Sequence, residues 1–123
     1  GTAAEIASIP DFENDQLWIL LEMAVRVDGV DGDEALRLLV DRADASRLAR
    51  AVERVSRRDA TPAVERLIAT GDLEQLTRVV QKAPEDRARQ AAAAIDATAR
   101  PHEREYIQGT LSEDRRTLLR RDG

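Results

Sequence analysis

The chain has 123 residues, with 24 acidic side chains against 19 basic ones, a formal charge of −5, no cysteine and one histidine. The lack of cysteine removes disulfide scaffolds, thiol nucleophiles, iron–sulfur clusters and cysteine-based zinc sites, and the length suits one domain that buries roughly 65% of its unfolded surface. Of the basic residues all but Lys82 are arginine, so nearly every positive charge is a planar, permanently charged fork.

The chain opens Gly-Thr, and residues 1–10 are expected to be a cloning remnant or flexible N-terminal segment ahead of a single domain over 11–123. Alanine, leucine, arginine and glutamate dominate, and no stretch alternates apolar with polar residues for more than a few positions. That pattern predicts helix throughout and no sheet. The expected fold is all-α, a compact array of seven to eight short helices packed as antiparallel hairpins.

The first helix, over 13–27, is apolar nearly all round: Leu17, Leu20, Leu21, Ala24 and Val27 share one face, while Trp18, Ile19, Met23 and Val25 occupy others. This predicts a buried central helix, with Glu22 and Arg26 paired one turn apart. Its apolar run is too short and too charged to span a bilayer, so no membrane partner is expected and a cytoplasmic location is. Asp31 and Glu34 form a capping box that starts a second helix over 32–43, each side chain taking a free N–H of the first turn. A third helix, over 45–58, carries an apolar stripe of Leu48, Ala51, Val52 and Val55. Beside it Arg47, Arg50, Arg54, Arg57 and Arg58 fall within an arc of roughly 100°.

Thr61-Pro62 opens a fourth helix over 62–70, which Gly71 closes in the left-handed conformation. Asp72 and Gln75 cap a fifth over 73–83. Pro84 and Pro101 begin the sixth and seventh, over 85–99 and 102–109; the sixth carries the slim run Ala91 to Ala94. An eighth, over 113–121, holds Arg115, Arg116, Arg120 and Arg121. Connections of two to four residues require successive helices to pack as neighbours.

Offset by forty residues, RVDGVDGDEALRLLVDRADASRLARAV at 26–52 aligns with RLIATGDLEQLTRVVQKAPEDRARQAA at 66–92, pairing Arg26 with Arg66, Leu36 with Leu76, Val40 with Val80 and Ala51 with Ala91. A period that covers two helices is the pattern of a helical-pair solenoid. The stretch GDLEQLTRVVQKAPEDRARQAAAAI resembles a degenerate HEAT repeat: an amphipathic helix, a Pro/Asp turn, then Asp86 and Arg89 leading an alanine-rich second helix. The resemblance spans 26–99, with Ala88 where the family usually has valine. It implies a short solenoid and a protein-binding concave surface.

Little catalytic chemistry is on offer. His102 is the only imidazole, and in PHERE the residue one turn on is Tyr106 where an H-E-x-x-H zinc motif needs a second histidine. Pro101 and the acids after it read as the first turn of a helix. In DGVDGDE, at 28–34, counting a calcium loop from Asp31 puts Ala35 at position 5 and Arg42 at position 12, so these residues read as a turn and a cap. The glycines are isolated, and a serine nucleophile would have a single candidate base. Neither an enzyme nor any metal or cofactor is expected.

Binding is therefore expected over catalysis. The candidate contact residues are Arg47, Arg50, Arg54, Arg57 and Arg58 with Arg115 and Arg116, and the expected partner is an acidic surface of another protein, met by bidentate guanidinium contacts. Two alternatives stand beside it: nucleic-acid binding through phosphates with the same arginines, which an acidic chain with three aromatic residues supports less well, and a homodimer that buries the apolar first helix and the alanine-rich helix.

Overall fold

A computed structural model describes residues 14–119. The described residues form eight α-helices and no strand: α1 (Asn14–Arg26), α2 (Val30–Arg42), α3 (Ala45–Arg54), α4 (Thr61–Thr70), α5 (Leu73–Lys82), α6 (Glu85–Thr98), α7 (Pro101–Thr110) and α8 (Glu113–Arg116). The all-α array of hairpins expected from the sequence is what forms. No described helix is long and apolar enough to cross a membrane.

The helix ends obey a period. Odd-numbered helices stop at Arg26, Arg54, Lys82 and Thr110, and even-numbered ones at Arg42, Thr70 and Thr98; every step is 28 residues. α1, α3 and α5 each pack on the even helix that follows. α1 then packs on α3 and α3 on α5 in one layer, while α2 packs on α4 and α4 on α6 in the other. Equivalent positions, 28 apart, bury equivalent side chains. Leu20, Leu48 and Leu76 fill one station of the odd helices, and Leu39, Leu67 and Ile95 one station of the even helices. Ala35, Ala63 and Ala91 keep the even helices slim where the layers meet. The unit that repeats in space is thus 28 residues long, not forty. The forty-residue alignment lays α2 of the first unit over α5 of the third, and α3 of the second over α6 of the third, a match of amphipathic pattern rather than of place.

Local capping and turn contacts mark several of the boundaries. Gly71, at φ 70°, ends α4 in the left-handed region, and Asp72 accepts the Gln75 N–H at 3.0 Å to start α5. Asp59 accepts both the N–H and the hydroxyl of Thr61, at 3.0 and 2.6 Å, and Pro62 sits second in α4. Glu103 reaches back to the Arg100 N–H at 2.9 Å at the start of α7. Pro84 precedes the first residue of α6 instead of being it.

Three expectations need correction. The Asp31 and Glu34 capping box does not form: Gly29, at φ 79°, turns the chain early enough for α2 to begin at Val30, and Glu34 pairs with Arg37. α3 stops at Arg54, not 58, because the chain turns extended at Val55 while that side chain remains fully buried. α1 is an edge rather than the centre. Leu17, Leu20, Leu21 and Ala24 are buried, but Trp18 and Ile19 are 38% and 48% exposed. The central helix is α3, which packs against α1, α4 and α5 at once. The expectations for residues 1–10 and for Arg120 and Arg121 lie outside the described residues.

Candidate functional site

The last turn of a helix leaves carbonyl oxygens without intrahelical partners. In the odd helices these carbonyls recur every 28 residues, and an arginine meets each set. Arg58 donates to the carbonyls of Ala24 and Val27 at the end of α1. Arg87 donates to Val52, at 2.9 Å, and to Val55 at the end of α3. Arg115 donates to Val80 and Ala83, at 3.2 and 2.8 Å, at the end of α5. Each of the three crosses from one repeat into the one before it. Arg116 does the same for Gln108 and Leu111 at the end of α7, at 2.8 and 3.2 Å, from within its own repeat. A cation also complements the negative end of each helix dipole. These four arginines close helices.

Of the seven residues expected to contact a partner, Arg58, Arg115 and Arg116 therefore have structural work. Arg58 also pairs with Asp33 at 2.8 Å, and its side chain is only 8% exposed. Arg47 lies with its guanidinium carbon 4.9 Å from the centre of the Trp18 ring and pairs with Asp44 at 2.5 Å, its side chain 13% exposed. Arg54 grips Glu22 with two nitrogens, at 2.7 and 3.3 Å. Arg57 reaches Asp28 at 2.6 Å, and Arg50 forms no ion pair or hydrogen bond with the described residues. The helical arc assumed for Arg57 and Arg58 does not exist, since both lie beyond the end of α3.

What the fold does gather is a smaller group. Glu22 on α1 is shared by Arg26, at 2.8 Å, and Arg54. The hydrogen bonds from Arg54, and then from Arg26, hold its carboxyl down at about 2 from the usual 4.5. Asp28, just past α1, holds Arg57. Arg50 stands one turn before Arg54 on α3. Three guanidinium groups, Arg26, Arg54 and Arg57, share two carboxylates, and Arg50 adds a fourth positive charge one turn from Arg54, leaving a local excess of positive charge on an acidic chain.

A groove lies on the same layer but at the other end. It encloses about 820 Å³ between α5 and α7, with Leu73 and Ile107 as an apolar floor and Glu74, Thr77, His102, Glu103, Tyr106 and Thr110 around them. Tyr106 is 74% exposed. The groove opens because α7 departs from the repeat: Arg104 stands where the earlier odd helices place Leu20, Leu48 and Leu76, and α7 packs less closely on α5 than α5 does on α3. His102, exposed at the rim, is in the first turn of α7 as its sequence context suggests. Among the described residues no three histidine, cysteine or acidic side chains gather closely enough to hold a metal ion.

Sequence reasoning missed both Arg87 and this groove. The signal for each was a 28-residue register: it aligns Arg87 with Arg115, and it puts Tyr106 where Arg50 and Arg78 stand in the preceding odd helices. No family model matches the chain, and no curated protein or solved structure does either.

Proposed function

We propose that this chain is a non-catalytic helical-repeat module that binds another protein through an arginine-lined surface facing an acidic partner. The observation that carries the proposal is the excess of guanidinium over carboxylate among Arg26 on α1, Arg50 and Arg54 on α3, and Arg57 just beyond α3. The contact set narrows to these residues, because Arg47, Arg58, Arg115 and Arg116 are occupied in holding the fold. A partner carboxylate would complete the pairing that Glu22 and Asp28 leave short, and bidentate forks would orient it. The stacked helical pairs fit the kind of surface that the resemblance to HEAT repeats implies.

The test is binding of a labelled oligo-glutamate peptide to the intact chain and to the double variant Arg50→Glu, Arg57→Glu. The expected result is saturable binding that the double variant loses while its thermal melt stays close to that of the parent. Equal binding by both proteins overturns the proposal. Retardation of single-stranded DNA that falls steeply between about 50 and 200 mM salt, with no peptide binding, would replace the protein partner by phosphates.

A further inference from the structure

We propose that the groove between α5 and α7 is a second, independent contact site that takes an arginine side chain presented by a partner protein segment. Between α1 and α3, in the same layer, the chain places a cation of its own: Arg47 lies over the Trp18 ring and pairs through one nitrogen with Asp44. An aromatic face beside a carboxylate is good guanidinium chemistry, since the ring attracts the cation and the carboxylate takes its N–H groups.

The α5–α7 groove offers the same kinds of receptor, an aromatic ring and carboxylates, at other stations, with Arg100 where Asp44 stands. Glu103 stands at the station that Arg47 occupies in α3, and Tyr106 stands at the station of Arg50 and Arg78. Glu74 takes the place of Trp18. Arg78, the nearest equivalent cation on α5, is turned away to pair with Glu53 of α3 at 2.6 Å. The groove is therefore an open space with two carboxylates on its walls, an exposed phenol ring and an apolar floor of Leu73 and Ile107. Glu103 commits one oxygen to the Arg100 N–H and keeps the other. A guanidinium laid on Tyr106 would reach both carboxylates, and its hydrocarbon stem and an apolar neighbour would cover the floor. Lysine fits less well, because an ammonium cannot fork to two acids while stacking on a ring.

This site stands apart from the arginine-lined surface proposed above, so either can fail alone. The experiment is an amide NMR titration of the intact chain with acetyl-Leu-Arg-Leu-amide, repeated with citrulline in place of the arginine. Saturable shifts confined to residues 73–77 and 102–110, absent with the citrulline peptide and about five- to tenfold weaker in affinity for Tyr106→Ala and Glu74→Gln, are expected. The parallel variant Arg50→Glu should bind the peptide as the parent does. Shifts scattered over all acidic residues, or equal response to citrulline, overturn the proposal. If the same amides shift with protein concentration alone and sedimentation shows a dimer, the occupant is a second copy and the partner-segment assignment fails.

Discussion

Arg54 and Glu22 meet across thirty-two residues of chain as a two-pronged ion pair, with Nη1 to Oε1 at 2.7 Å and Nη2 to Oε2 at 3.3 Å. The pair joins the last turn of α3 to the middle of α1, so it belongs to the contact between repeats. Its consequence is a pH dependence of definite sign. The Glu22 carboxyl sits at about 2 in the folded chain against an ordinary 4.5. A depressed carboxyl stabilises the fold fully above its unfolded value, and that contribution drains away as pH falls from about 4.5 towards 2.

Glu22→Gln should accordingly flatten the acid limb of the stability curve. Both partners are more than a third exposed, so solvent screening holds the loss near neutral pH to under about 1 kcal/mol. Urea unfolding at pH 7 and at pH 3 checks this: the gap between variant and parent should narrow at the lower pH. A gap that widens would contradict it.

Arg87→Met keeps most of the hydrocarbon stem and removes the donor to the carbonyls of Val52 and Val55. Leaving part-buried carbonyls unsatisfied costs about 1–3 kcal/mol. Arg50→Met, which removes no described partner, should stay within about 0.5 kcal/mol of the parent. Chemical denaturation of the two variants side by side separates an arginine that closes a helix from one that is merely present.

Gly32→Ala tests the packing of the same device at α1. A helix normally gains up to about 1 kcal/mol from this exchange. Here the added Cβ would collide with the Val27 carbonyl oxygen and the Arg58 guanidinium lying on it. The variant should lose about 1–3 kcal/mol, the ordinary cost of overpacking. Ala60 and Ala88, at the equivalent stations, are buried and already carry that methyl, so Ala60→Gly should not stabilise. A melting temperature for Gly32→Ala above that of the parent would refute the reading.

Leu48→Ala removes a fully buried side chain from the central helix and should cost about 2–5 kcal/mol. Tyr106→Ala, at an exposed station of α7, should cost under about 0.5 kcal/mol. Thermal melts of both check that Leu48 belongs to the core and Tyr106 does not.

The helices were legible because their punctuation is local. Asp72 and Gly71, Thr61-Pro62 and Pro101 act within one turn of themselves, and the structure places helix ends within a residue or two of where they point. The capping box at Asp31 failed because Glu34 has a nearer partner in Arg37, and because the positive φ of Gly29 starts α2 early. Position within the array was not legible in the same way. The apolar girdle of α1 says that it has surface to bury, not how many neighbours will bury it. The arginines were the hardest to read. A stripe drawn on a continuous helix cannot show that the helix ends at Arg54, or that Arg58, Arg87 and Arg115 are spent on carbonyls about thirty residues upstream.

Those upstream carbonyls give the array a direction. The ends of α1, α3 and α5 each wait for a residue made about thirty positions later, whereas the end of α7 is closed by Arg116, five residues beyond Leu111. During synthesis each unit would stay loosely latched until its successor emerged, and the last would latch itself. Shortened chains offer a way to watch this. One ending at residue 83 lacks Arg87 and Arg115 and should exchange its amides fastest at the ends of α3 and α5, while the end of α1, with Arg58 in place, stays protected. The molecule then behaves as a ratchet assembled from its N-terminal side, with each click supplied by the following repeat.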